Sequence, residues 1–219
     1  MEEYQKSKLN RVKRGANRAT YDVEKINNIL DAGFIGYVSY NFQGKAISIP
    51  MAYGRNGNKI YLHGSQANRM LTSLLDVKEM SMTVMHLDAL VLARSGFHHS
   101  VNYRSATLFG KAKKVVDSIE KMAGIKCFME HMMPGRWDGV RAMNNEEFDR
   151  TLVVEMEIET ASAKIRDVDV SDEPEDVNLP VWAGLMPIKQ IAEYPISAQD
   201  LPKNIEIPKH VLDYYTKNK

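Results

Sequence analysis

The run Val101-Asn102-Tyr103-Arg104-Ser105-Ala106-Thr107-Leu108-Phe109-Gly110 carries the longest strict alternation in the chain. Val101, Tyr103, Ser105, Thr107 and Phe109 recur at every second position, the period of a strand with two different faces and not of a helix. The same period returns on both sides of it. Upstream, Met80, Met82 and Val84 alternate with Ser81 and Thr83; downstream, Leu152, Val154, Met156 and Ile158 lie opposite Glu155, Glu157 and Glu159, so that half of the strand faces water. Nearer the N-terminus, Phe34 to Tyr40 and Ile47, Ile49, Met51 and Tyr53 read as a hairpin around Gln43-Gly44, and Arg55-Asn56-Gly57-Asn58 turns into a third strand, Lys59 to His63. Pro50 inside the second strand indicates an edge, a bulge or a place where something other than a strand meets the backbone. Helices are expected after Thr20 and Ser65 as N-caps, with Gly33 stopping the first, and from about Asp117 to Pro134-Gly135. About six strands with few helices between them give a mainly β protein, an antiparallel sheet or small barrel with helices around it.

Composition bounds the rest. The chain has 219 residues, with 29 Lys+Arg against 28 Asp+Glu and a formal charge of +1, so bulk charge identifies no nucleic-acid or other charged partner. At 44% hydrophobic and 26% charged residues it is an ordinary globular chain. The single cysteine, Cys127, excludes an intramolecular disulfide and a multi-cysteine zinc site, and fits a reducing compartment. No apolar run approaches the roughly 18–20 residues that span a bilayer, and the N-terminus lacks the apolar core of a secretory signal. The expectation is a cytoplasmic protein with no membrane partner. Three regions follow: a basic, solvated arm over 1–19, a central domain over 20–166, and an acidic connector with a Pro-broken extension over 167–219, packing on the barrel or on a partner subunit.

Few residues announce chemistry by themselves. There is no G-x-G-x-x-G, G-x-x-x-x-G-K-[ST] or G-x-S-x-G. Cys127 and His131 stand four apart on an expected helix, but with no second pair nearby they read as a buried thiol beside a histidine, and no metal site is expected. His98 and His99, placed on a strand, point to opposite faces and do not chelate one ion together. The run His63-Gly64-Ser65-Gln66-Ala67-Asn68-Arg69 brings a strand end to a helix start, where free N–H groups favour an anion and Arg69 adds a fork of donors; an ordinary capped helix is the simpler alternative.

The run from His86 to Ser105, continued by Phe109-Gly110-Lys111-Ala112, resembles the flavin-nucleotide-binding branch of the pyridoxamine-phosphate-oxidase-like split-barrel family. Agreeing segments are Arg11 to Asp22, Tyr61 to Ser65, Pro134-Gly135-Arg136, Ala161 to Arg166 and Pro180-Val181-Trp182-Ala183-Gly184. The resemblance implies a six-stranded antiparallel FMN-binding split barrel that forms a homodimer with one flavin per subunit at the interface. It places the flavin ring along Pro50, Met51, Ala52 and Tyr53 and the phosphate at His63, Gly64, Ser65, Asn68 and Arg69. Ser105, with Tyr103 and Arg104 nearby, meets the polar edge of the ring, and Trp182 approaches from the partner subunit. The family's arginine four residues after that tryptophan is Met186 here, which turns the reading away from vitamer oxidation and toward the nitroimidazole-resistance branch. The expected function is an FMN-dependent oxidoreductase acting on a small acceptor, FAD being the other candidate flavin, with His98 and His99 as substrate contacts. The alternative is a non-catalytic flavin carrier or a haem-binding module of the same fold.

Overall fold

The computed structural model describes residues 2–219. In chain order the elements are β1 (Ala19–Thr20), α1 (Val23–Asp31), β2 (Ile35–Phe42), β3 (Lys45–Ala52), β4 (Gly54–Asn56), β5 (Lys59–Ser65), α2 (Arg69–Val77), β6 (Glu79–Leu92), β7 (Ser100–Lys114), α3 (Ser118–Met132), α4 (Asn145–Arg150), β8 (Thr151–Arg166), β9 (Gly184–Pro187) and α5 (Lys209–Asn218). The strands form one antiparallel sheet in the order β3-β2-β6-β7-β8-β5-β4, with β1 added to β8 and β9 to β6. The six expected strands are β2, β3, β5, β6, β7 and β8; β1, β4 and β9 are short additions.

Turn chemistry sets the register. Gln43 and Gly44 both have positive φ, 51° and 78°, the geometry of a tight two-residue hairpin, and the Asn41 side chain accepts from the Gly44 N–H at 2.9 Å. Gly57, at φ 58°, opens the second hairpin. The helices start differently from expectation. Asp22, not Thr20, caps α1 by accepting from Lys25 N–H at 2.8 Å, and Asn68, not Ser65, caps α2 by accepting from Leu71 N–H at 3.2 Å. Ser65 still belongs to β5, paired with Thr151, and its Oγ accepts from Ala67 N–H in the intervening turn.

Inward-facing residues of every long strand meet in one core. Val38, Tyr53, Leu62, Met82, Leu108, Met156 and Ile158 pack with Ile26 and Leu30 of α1 and Leu71 and Leu74 of α2. The expected strand from Met80 to Val84 is only the first half of β6, which continues to Leu92. Its second half hides from the alternation rule because a bulge between Leu87 and Ala89 exchanges its faces. On the side away from β7, β6 pairs with β2 at Ser81–Thr83 and with β9 at Ala89–Leu92, leaving the segment between them split.

The N-terminal arm keeps its basic side chains exposed but is pinned to the sheet. Asn10 is buried, its amide donating to Thr160 Oγ1 at 2.6 Å and to Ala161 O at 3.0 Å, while Tyr4 N–H donates to Tyr21 O at 2.9 Å. The acidic connector is tied as well: the Asp172 side chain is only 2% exposed and accepts from both the backbone N–H and the guanidinium of Arg94, at 2.9 and 2.7 Å. Charge composition concealed both because one buried amide or carboxylate anchors each segment.

Candidate functional site

The outer face of the sheet is where the chain leaves its own surface unfinished. Register places Tyr37, Pro50, Thr83, Thr107 and Ser162 in one row across five strands; beyond it, where β2 and β6 part, Ile35 pairs with Ala52 on one side and Met85, Ser105 and Lys164 line up on the other. The face is lined by hydroxyls, with Thr83 and Thr107 Oγ1 3.1 Å apart and Ser39 Oγ donating to Ser48 Oγ at 3.2 Å. Ile35, Tyr37, Met85 and Leu87 border it and are exposed. Pro50 sits on the edge strand β3, where its missing N–H weakens no central ladder.

Strand alternation sorts the expected residues. Pro50, Ala52, Tyr103 and Ser105 share the outer face. Met51 and Tyr53 point inward: Met51 packs against the core, and Tyr53 is buried, its hydroxyl donating to Leu30 O at 2.6 Å with Gly33 O at 3.0 Å. Arg104 also leaves the group. It lies on the face opposite to Ser105 and forms a bidentate pair with Asp88, Nη2 to Oδ1 at 2.8 Å and Nε to Oδ2 at 3.0 Å. Lys164 takes the place expected of a basic neighbour, since it pairs in register with Ser105. Sequence reasoning passed over it because nothing but that register distinguishes it.

At the β5–α2 junction, Arg69 is exposed, with its guanidinium 5.1 Å from the centre of the Phe42 ring. The Arg69 and Met70 N–H groups at the start of α2 find no partner among the described residues. Gly64 runs close beneath the Asn68 side chain, 3.3 Å from where a Cβ would stand. His63 differs from the rest of the junction. Its ring packs edge-on to Phe128 at 4.1 Å, its Nδ1 is buried without a partner, and burial pushes its pKa down, so it is a neutral group and not a cation for an anion.

Trp182 lies elsewhere. Its ring covers Gly184, which pairs with Leu92 at the far end of β6, whereas Phe42 and Arg69 stand at the Glu79 end. One chain does not bring Trp182 to Arg69. His98 and His99 belong to the turn between β6 and β7, not to a strand: His98 Nε2 is 3.3 Å from Glu173 Oε1, and His99 Nδ1 is 2.8 Å from Ser95 O. Cys127 and His131 lie on α3. The thiol is pushed up to about 11 by burial, and His131 Nε2 donates to Gly33 O at 2.9 Å. Among the described residues no three His, Cys, Asp or Glu side chains gather as a metal site, and no helix is long and apolar enough to cross a membrane.

The antiparallel sheet thus carries a bare, hydroxyl-lined outer face and, at a strand-to-helix junction, open N–H groups beside an exposed arginine. The family profile described as pyridoxamine 5'-phosphate oxidase matches residues 22–165, and the chain belongs to that family. Among solved structures it is similar to the flavocytochrome Anf3 from Azotobacter vinelandii, at 32% identity and TM-score 0.89 over 95% of this chain and 97% of that one. It is also similar to an FAD and heme binding protein from Mycobacterium smegmatis, at 28% identity and TM-score 0.86 over 90% and 97% of the two chains. A 5-nitroimidazole antibiotic resistance protein homologue from Bacteroides thetaiotaomicron shares the fold, at 18% identity and TM-score 0.59 over 67% and 86%. No curated protein matches in sequence.

Proposed function

We propose that this chain is a homodimeric flavoprotein oxidoreductase that passes electrons from a reduced nicotinamide or similar donor to a small acceptor, with haem as a second group. The observation that carries the reading is the bare outer face: a flat row of hydroxyls with Lys164 at one side, bordered by exposed Ile35, Tyr37, Met85 and Leu87. Such a surface suits a planar ring with one polar edge. A bound flavin supplies hydride and one-electron chemistry, so the protein needs no nucleophile. Pro50 and Ala52 leave room for the ring, Ser105 and Lys164 meet its polar edge, and Arg69 with the open N–H groups of α2 holds phosphate. FMN and FAD share these contacts. The relatives named above support a flavin together with haem.

In this reading the partner copy supplies the tryptophan: Trp182 and Arg69 lie at opposite ends of β6 within one chain, and pairing of two copies covers the exposed apolar border. His98, at the rim with its ring beside Glu173, meets the acceptor. The protein acts in the cytoplasm in this reading.

The test is the purified protein itself. A yellow preparation whose flavin is released on denaturation and bleached by NADH or NADPH without oxygen supports the reading; a blank flavin spectrum ends it. Bound flavin that no nicotinamide bleaches, with a panel of acceptors, favours the carrier. Arg69→Ala is expected to weaken flavin retention roughly tenfold or more, the scale of a charged hydrogen bond. Unchanged retention by equilibrium dialysis removes the phosphate from this junction.

A further inference from the structure

We infer that His99 is the protein's ligand to haem iron, an assignment that rests on the flavin-and-haem reading above. The chain's 6 histidines differ in what their rings already do. His86 Nε2 donates to Ile29 O and His131 Nε2 to Gly33 O, each at 2.9 Å, so both rings are fastened to the end of α1. His63 is enclosed beneath α3 against Phe128, and His210 packs on Gly135 and Gly139 with its Nε2 buried. His98 faces Glu173.

His99 alone is exposed, oriented and open. Its Nδ1 lies 2.8 Å from Ser95 O, and a carbonyl oxygen only accepts, so Nδ1 carries the proton and Nε2 keeps its lone pair. Nε2 has no partner among the described residues. A backbone carbonyl holding the far nitrogen is the arrangement by which proteins orient a ligating imidazole and raise its basicity. No cluster of three ligating side chains exists among the described residues. A bare ion would therefore lack a coordination sphere, whereas iron already held by four porphyrin nitrogens needs only one protein donor.

The surroundings suit a large apolar ring. Phe97, next in the turn, is 90% exposed, and Trp182 is 68% exposed. Val91 pairs with Ser100 on one side and Leu185 on the other, so His99 and Gly184, with Trp182 folded over it, end the sheet together.

The test compares wild type, His99→Ala, His98→Ala and His99→Gly as purified and after incubation with hemin, by absorption and electron paramagnetic resonance. Wild type and His98→Ala are expected to give the same histidine-ligated spectrum, His99→Ala to lose it, and imidazole to restore it to His99→Gly. A wild-type spectrum and haem content in His99→Ala, or loss in His98→Ala instead, overturns the assignment while leaving the haem reading intact. A wild-type protein that keeps flavin but takes up no hemin overturns both the haem reading and the assignment. Flavin content and far-ultraviolet circular dichroism of each variant separate loss of a ligand from loss of the fold.

Discussion

Two parts of the same outer surface have opposite fates. Over β4, β5 and the start of β8 the chain covers itself: Tyr61 and Val153 pack against Ile125 of α3, and His63 is shut in by Phe128. Over β2, β6 and β7 the matching positions, Tyr37, Thr83, Met85 and Thr107, stay bare. Strand chemistry does not distinguish them, since both faces alternate. The difference is a helix supplied in one place and withheld in the other, and the proposed flavin and partner copy fall on the half without one.

The covered half breaks first. A Cβ at Gly54 would stand 2.6 Å from Phe128 Cα and 2.7 Å from Phe128 N, backbone atoms that cannot turn aside as a side chain does. Gly54→Val is expected to force α3 off the sheet and to cost about 3 kcal/mol or more, at the upper end for overpacking. Urea denaturation measures it; a midpoint equal to wild type would mean that α3 rides loosely and that the two halves differ less than described.

The bare half answers to a different change. Tyr37→Asp with Met85→Asp places carboxylates where the proposed partner would desolvate them, a cost of several kcal/mol to association and little to the monomer. The double variant is expected to elute as a folded monomer with its flavin lost, by light scattering and absorption, against a flavin-loaded wild-type dimer. If the variant keeps the wild-type mass, the dimer uses another face.

How much of this could be read from sequence depends on whether a neighbour shifts the pattern. β7 was legible because its alternation runs unbroken from Val101 to Phe109, and β8 as far as Ile158, where a register shift opposite Phe109 and Gly110 exchanges its faces; Pro50 announced an edge. The second half of β6 was not, since the bulge at Leu87/Ala89 inverts its phase, and β9 is four residues whose strand character exists only against Leu90 and Val91. Ser65 and Asn68 are both good caps, three apart, and only the turn between them selects Asn68. Ser105 stands on the outer face and Arg69 at the β5–α2 junction, while Tyr53 and Arg104, next in sequence to outer-face residues, lie on the opposite face, as adjacency on a strand dictates. The Tyr53 hydroxyl and the His86 and His131 rings close the end of α1 instead, a role visible only once distant strands meet.

The smallest effect sharpens the comparison most directly, because it asks whether the covered half is as dry as the core. Burial depresses the pKa of His63 below the usual 6.5. The unfolded chain then takes up a proton below about pH 6.5 that the folded chain refuses, so stability falls as pH drops from that value toward the folded pKa and is complete above it. His63→Gln removes the titration, and the urea midpoint should fall less between pH 7.5 and 5.5 than in wild type; a slope equal to wild type would mean that water reaches His63 beneath α3, and that the covered half differs from the bare half in contacts but not in hydration.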